Sequence, residues 1–109
     1  MMDLHDLLNP DGIIASLKAT SKKDTLQELA AVAAEKTGLD ASEIFNTLLQ
    51  RERLGSTGLG HGIAIPHVKL NALRGIVCLF ARLEEPIEYE SHDGERVDLV
   101  FMLLAPEDA

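Results

Sequence analysis

The sequence predicts an α/β fold in which a mixed β-sheet of about four to five strands is flanked by helices. Two helical patterns come first and several strand patterns follow, an order typical of layered α/β domains. Two nearly continuous apolar runs, at residues 76–83 and 97–104, are expected for strands covered on both faces. The 109 residues, 46% of them hydrophobic, suit a single domain spanning residues 1–109.

The N-terminal third predicts a short helical turn, a tight turn and a strand before the first long helix. Leucines at helical spacing in residues 4–8 indicate the helical turn. The Asn-Pro-Asp-Gly sequence of residues 9–12 is a strong turn signal. Residues 13–17, which are mostly apolar and begin with two β-branched isoleucines, predict the strand.

Two helices are predicted from their capping residues and their apolar stripes. Ser21 is a typical N-cap for the first, and Gly38 is a typical end signal. Asp40 and Gly55 bound the second helix in the same way. After the helices, Ile87 and Tyr89 alternate with acidic residues, and an Asp-Gly turn follows at residues 93–94. This pattern predicts a hairpin between a short strand and the long apolar run 97–104.

Composition and charge exclude several classes of function. The formal net charge of −8 repels phosphate backbones, so nucleic-acid binding is not expected. The first residues lack the features of a signal peptide, and no apolar stretch is long enough to span a bilayer. The single cysteine, Cys78, lies in an apolar run and is expected to be an inert core thiol. We therefore expect a cytoplasmic protein that does not insert into membranes.

The most unusual segment is residues 55–62, where four of eight residues are glycine. Such a segment is expected to be neither a helix nor an ordinary strand, and its backbone N–H groups can form a concave nest for an anion. His67 follows closely after Pro66, which restricts the local backbone, and neutral imidazole is a good nucleophile toward phosphorus. Arg51 and Lys69 flank the segment and could supply positive charge.

Simpler interpretations of the same residues stand beside this one. The glycine segment could be a plain loop, and Arg51 could simply oppose the helix dipole. The segment does not match a nucleotide-binding P-loop or a GxGxxG fingerprint. The histidine spacing gives no metal site, no cofactor is indicated, and no role is assigned to His5, His61 or His92.

Residues 49–69, which read LQRERLGSTGLGHGIAIPHVK, resemble the signature of type-2 enzyme IIA domains of the bacterial sugar phosphotransferase system. The resemblance extends over nearly the whole chain, from Leu7-Leu8 to the ending VDLVFMLLAPE at residues 97–107. It implies the fold of the mannitol-specific IIA domain. The particular residues of this sequence are most similar to those of the nitrogen-regulatory branch of the family.

The resemblance implies a role for each residue of the motif. His67 is expected to accept a phosphoryl group on Nε2 from a phosphohistidine carrier protein of the HPr type. Arg51 matches the family arginine that faces this histidine, and Lys69 matches a frequently basic position. The residues expected on the phosphate-contacting loop are Thr57, Gly58 and Gly60.

One departure from the family concerns the C-terminal end. Family members continue into a second histidine and C-terminal helices, so this sequence is expected to be truncated, with those helices missing. The strand at residues 97–104 would then be partly bare on one face. An exposed apolar face predicts self-association through that end.

Three functions remain open from the sequence. The first is a regulatory phosphocarrier whose phosphorylation state is sensed by partner proteins such as kinases and transporters. The second is a sugar-specific IIA that passes the phosphoryl group to a IIB domain for fructose or mannitol. The third is a non-catalytic binding module, although the motif histidine and arginine are both present.

Overall fold

The structure is a computed structural model that describes residues 13–107, except for the side chain of Ala15. The predicted helical turn at residues 4–8, the turn at 9–12 and His5 lie outside the described residues. Within them, one strand, two consecutive helices and five further strands form a single α/β unit. In chain order these are β1 (Ile13–Leu17), α1 (Lys22–Thr37), α2 (Ala41–Leu54), β2 (Gly58–Gly60), β3 (Ile63–Ala64), β4 (His67–Leu70), β5 (Val77–Ile87) and β6 (Val97–Pro106).

Both helices begin and end where the sequence predicts. The Ser21 hydroxyl caps α1 by accepting a hydrogen bond from the backbone N–H of Asp24 at 3.0 Å. Gly38 ends this helix with a φ of 77°, a conformation that costs glycine little because it has no Cβ. The Asp40 carboxylate caps α2 through the N–H of Ser42 at 3.3 Å.

The sheet is mixed, as predicted, but it has six strands rather than four to five. Its order is β1-β5-β6-β3-β2, and β4 also pairs with β6, beyond β3. β5 and β6 are antiparallel, whereas β1 is parallel to β5 and both β3 and β4 are parallel to β6. The additional strands are the short β2, which lies in the glycine-rich segment, and the short β3, which directly follows it.

The hairpin before β6 differs from the prediction in one respect. No separate short strand precedes the turn, because β5 itself continues to Ile87, which pairs with Val97 of β6. The predicted turn is present: the N–H of Gly94 donates to the carbonyl oxygen of Ser91 at 3.0 Å, and Gly94 has a φ of 77°. Tyr89, which lies just beyond the end of β5, is fully buried.

The core lies between the two helices and one face of the sheet. Within residues 13–107 both helices pack on this face, and they flank the mixed sheet as predicted. The second face, which we call the open face, carries half-buried apolar side chains, including Phe80 and Phe101, whose ring centroids are 4.7 Å apart. The buried residues of the core include Leu26, Leu29, Ile44, Leu48, Leu79, Ala81, Val100, Met102 and Leu104.

No helix of the described residues is both long and apolar enough to cross a membrane.

Candidate active site

The end of the glycine-rich segment and the two residues after it form a small β-hairpin, so the expectation that the segment contains no ordinary strand is wrong. β2 and β3 are antiparallel and joined by His61 and Gly62, which have φ values of 56° and 81°. Positive φ at both central residues is the geometry of a type I′ turn, which matches the twist of paired strands. The glycines therefore allow a tight hairpin here.

Gly58 and Gly60 are required by close packing against the segment that follows β5. A Cβ atom on Gly58 would lie 2.5 Å from the Ser91 hydroxyl oxygen. A Cβ atom on Gly60, whose φ is 114°, would lie 2.9 Å from a carboxylate oxygen of Asp93. The N–H of His92 also donates to the carbonyl oxygen of Gly58 at 3.3 Å. These contacts hold the hairpin against residues 91–93.

His67 is the first residue of β4 and is exposed. Its Nδ1 atom lies 2.8 Å from the carbonyl oxygen of Ile65. A carbonyl oxygen only accepts hydrogen bonds, so Nδ1 must carry the proton that it donates. In the neutral ring, the lone pair is then on Nε2. The backbone N–H of Leu103 donates to the carbonyl oxygen of Pro66 at 2.9 Å, which fixes the residue before His67 against β6.

His67 lies in an open cleft of about 600 Å³ at the edge of the sheet. The structure brings three of the predicted site residues together here, because Arg51 at the end of α2 and Lys69 in β4 line the same cleft as His67. One guanidinium nitrogen of Arg51, Nη1, donates to the carbonyl oxygen of Gly55 at 2.9 Å, which positions the side chain at the helix end. The other lining residues are mainly apolar or neutral: Thr47, Gln50, Leu54, Val68, Leu103 and Ala105.

Thr57, Gly58 and Gly60 do not line this cleft. Thr57 is buried, and its N–H donates to Oε1 of Glu52 at 3.0 Å. Its hydroxyl group donates to the other carboxylate oxygen of Glu52. Both hydrogen-bond donors of Thr57 are thus used inside the protein.

Beneath the hairpin lies a buried polar cluster that the sequence did not lead us to predict. Its members are Lys22, Glu52, Thr57 and Tyr89. The Nζ atom of Lys22 is 2.9 Å from Oε1 of Glu52 and 4.7 Å from the centre of the Tyr89 ring. The Tyr89 hydroxyl is 3.2 Å from the Thr57 hydroxyl oxygen. The Glu52 side chain is only 3% exposed, so its charge is compensated by Lys22 and by the two donors of Thr57.

A signal for Glu52 was present in the sequence. Ile44, Leu48 and Glu52 recur every four residues, and all three are buried on the same face of α2. A charged residue in register with an apolar stripe indicates a buried, paired charge. Lys22 carried the same signal, because Lys22, Leu26 and Ala30 also recur every four residues, and Leu26 and Ala30 are buried on α1.

Within the described part of the chain, the surroundings of three side chains shift their pKa values. Burial raises the pKa of the Tyr89 phenol well above its usual value. Burial also raises the pKa of the Cys78 thiol, which is half-buried on the open face rather than in the core. The pKa of the Asp93 carboxyl is lowered, chiefly because it accepts a hydrogen bond from the N–H of His61. Among residues 13–107, no group of three or more His, Cys, Asp or Glu side chains could hold a metal ion.

Known proteins resemble this chain in sequence and in fold. A nitrogen regulatory protein of Bradyrhizobium diazoefficiens is 57% identical over 108 residues, an alignment that covers 99% of this chain and 71% of that protein. A fructose-specific EIIABC component of the phosphotransferase system from Bacillus subtilis is 33% identical over 109 residues, covering 99% of this chain and 17% of that protein.

Two solved structures share the fold. The crystal structure of the nitrogen regulatory protein IIA-Ntr from Neisseria meningitidis is 36% identical and superposes with a TM-score of 0.88, over 93% of this chain and 69% of that one. The mannitol IIA of Escherichia coli, at 21% identity and a TM-score of 0.75 over 91% of this chain and 72% of that one, shows the same fold. These matches confirm the predicted mannitol-IIA-like fold.

The family model described as "Phosphoenolpyruvate-dependent sugar phosphotransferase system, EIIA 2" matches residues 6–109. The matched region contains the whole hairpin, the cleft and the strand that begins with His67. The resemblance inferred from residues 49–69 is therefore confirmed: the chain belongs to the type-2 EIIA family of the phosphotransferase system.

Proposed function

We propose that this chain is a phosphocarrier that accepts a phosphoryl group on Nε2 of His67 from an HPr-type phosphohistidine protein. The observation that carries the proposal is the hydrogen bond from Nδ1 of His67 to the carbonyl oxygen of Ile65. It leaves the Nε2 lone pair of an exposed ring beside the cationic side chains of Arg51 and Lys69.

The proposed transfer is a direct displacement at phosphorus. The Nε2 lone pair of His67 forms the new N–P bond while the N–P bond of the donor phosphohistidine breaks. The electron pair of that bond returns to the donor imidazole nitrogen. Nδ1 of His67 keeps its proton throughout and continues to donate to Ile65, so the step needs no other acid or base. The step is reversible, as a carrier requires.

Arg51 and Lys69 are proposed to stabilise the phosphoryl oxygens during transfer. A guanidinium group can bind two phosphoryl oxygens at once, whereas an ammonium group acts as a compact charge. Thr57, Gly58 and Gly60 are proposed to contribute by shaping the hairpin beside the site, since Thr57 has its donors committed to Glu52 and both glycines pack against residues 91–93.

The physiological role that we favour is regulatory. The relative from B. diazoefficiens is named a nitrogen regulatory protein, and it is 57% identical to this chain. We propose that the phosphorylation state of His67 is sensed in the cytoplasm by partner proteins such as kinases or transporters. The sugar-specific alternative, transfer to a IIB domain, is favoured only by the 33% identity to the fructose-specific component. A non-catalytic binding module is least favoured because Arg51 and His67 are both present and share one cleft.

Incubation with phosphoenolpyruvate, enzyme I and an HPr-type carrier tests the proposal. Intact mass should increase by one phosphoryl group, and the modification should be labile in acid. His67→Ala should abolish the increase. His61→Ala and His92→Ala are matched controls that should leave it unchanged, because both residues are exposed in turns. Phosphorylation that persists in His67→Ala would refute the assignment.

Arg51→Lys separates the proposed role of this residue from a simple helix-end charge. The substitution keeps the positive charge and removes the forked geometry, so transfer should slow about tenfold or more while the fold remains intact. Arg53→Lys, on the same helix turn but exposed, is the matched control. An unchanged rate in Arg51→Lys would leave only the interaction with the helix dipole.

A further inference from the structure

A continuous chain of hydrogen bonds connects the buried cluster to the ring of His67. The Glu52 carboxylate accepts from the N–H of Thr57 at 3.0 Å. The carbonyl oxygen of the same Thr57 accepts from the N–H of Ile65 at 3.0 Å. The carbonyl oxygen of Ile65 in turn accepts from Nδ1 of His67 at 2.8 Å. Thr57 and Ile65 each donate one of these bonds through the backbone N–H and accept the next through the carbonyl oxygen, so the three bonds are in series.

From this series we infer that Glu52 is a positioning residue that selects the tautomer of His67 through Thr57 and Ile65. Glu52 does not line the cleft, so it acts only through the backbone of the hairpin. By anchoring Thr57, it holds the Ile65 carbonyl where Nδ1 must donate to it. The Nε2 lone pair then faces the cleft.

The carboxylate is itself held in a defined position. Lys22 pairs with one of its oxygens at 2.9 Å, and the Thr57 hydroxyl donates to the other. The side chain is 3% exposed, so water cannot readily replace Thr57 as a partner. A buried, fully partnered group adopts one conformation, which is what positioning requires.

The position of α2 explains why one helix serves both parts of the site. Arg51 and Glu52 are consecutive, so their side chains leave the helix about 100° apart. Arg51 points to the cleft and Glu52 to the core. The helix end thus supplies both a charge in the cleft and an anchor for the backbone that carries His67.

The test measures the tautomer of His67 directly, by two-bond ¹H–¹⁵N correlation of the imidazole nitrogens in the full chain at a pH where the rings are neutral. In the wild type, His67 should be predominantly protonated on Nδ1. The exposed ring of His92 gives the reference distribution in the same sample. In Glu52→Ala, the Nδ1-protonated share of His67 should fall to that of His92.

Conservative variants separate positioning from stability. Glu52→Gln keeps an oxygen that can accept from Thr57, so it should largely restore the wild-type tautomer. Thr57→Val keeps the backbone hydrogen bonds of residue 57 and removes only the hydroxyl, so this variant should also retain the wild-type tautomer of His67. Glu43→Ala, an exposed glutamate on the same helix, is the matched control. If Glu52→Ala does not fold, Glu52→Asp replaces it, because its shorter carboxylate can stay near Lys22 but withdraws from Thr57. An unchanged His67 tautomer in a folded Glu52→Ala or Glu52→Asp protein overturns the inference.

The kinetic consequence rests on the proposed function. The rate of phosphoryl acceptance should fall by the same factor as the Nδ1-protonated share, with the KM for the carrier unchanged because the cleft is untouched. The tautomer measurement needs no phosphoryl donor, so it stands even if His67 is never phosphorylated. A change in KM without a change in tautomer would show that Glu52 acts on docking and would overturn the positioning role.

Discussion

The two faces of the sheet are both apolar, yet they have different surroundings. On β6, Leu104 is fully buried beneath the helices, whereas its neighbour Leu103 is only half-buried on the open face. On β5, Leu79 and Phe80 differ in the same way. An apolar run in the sequence thus shows which side chains of a strand could be buried. The packing of other elements on the sheet decides which of them are buried.

The largest expected effect comes from truncating neighbouring leucines on the two faces. Leu104→Ala should lower the free energy of unfolding by about 2–5 kcal/mol, because it leaves a cavity in a closed core. Leu103→Ala should cost about 1 kcal/mol, because less apolar surface is removed from a half-exposed site. Urea denaturation of both variants measures the difference. Equal losses would mean that the open face is covered in solution.

A second experiment asks whether the open face is covered by another molecule. The half-buried Phe80, Phe101 and Leu103 form a continuous apolar surface, since Phe80 pairs with Phe101 and Cys78 with Leu103 across the two strands. We expect concentration-dependent self-association and binding of a hydrophobic dye. Phe101→Lys should reduce both several-fold.

The control for that experiment is Leu59→Lys, at a leucine in β2 that is 57% exposed. It should leave both association and dye binding as in the wild type. A wild-type chain that stays monomeric at all concentrations and binds no dye would contradict the expected self-association.

The smallest expected effect is the pH dependence of stability due to Tyr89. This residue follows β5 and is buried, like the residues on the covered face of the sheet. Burial raises its pKa above the unfolded value of about 10. The folded state therefore holds the phenol proton more tightly, so stability is fully present below about pH 10 and declines as the pH rises further. The slope is at most about 1.4 kcal/mol per pH unit for one proton.

Tyr89→Phe isolates this contribution, because Tyr89 is the single tyrosine in the sequence. At neutral pH the variant should lose about 1 kcal/mol, since the hydrogen bond to Thr57 is removed. Above pH 10 its stability should fall less steeply than that of the wild type. Chemical denaturation across pH 7–11 measures both, and parallel pH profiles would show that Tyr89 ionises as easily in the folded state as in the unfolded one.

Much of the local structure followed from the sequence. Ser21, Gly38 and Asp40 set the helix boundaries because their side chains or backbone freedom satisfy the helix ends within a few residues. β1 occupies the predicted residues 13–17. The glycine-rich segment was interpreted less well. Its glycines suggested an anion nest, but their role depends on close contact with Ser91 and Asp93, more than thirty residues away.

The sequence by itself determined the family, the capped helices, the apolar strands and the gathering of Arg51, His67 and Lys69 around one motif. These features depend on residues that are near one another in the chain, so local chemistry specifies them. Only the tertiary structure decided which sheet face is covered, that Glu52 and Lys22 form a buried pair, and that a backbone relay reaches His67. The first two depend on segments that the fold brings together from distant positions, and the relay depends on the hairpin that pairs β2 with β3. Burial then makes the polar groups satisfy one another.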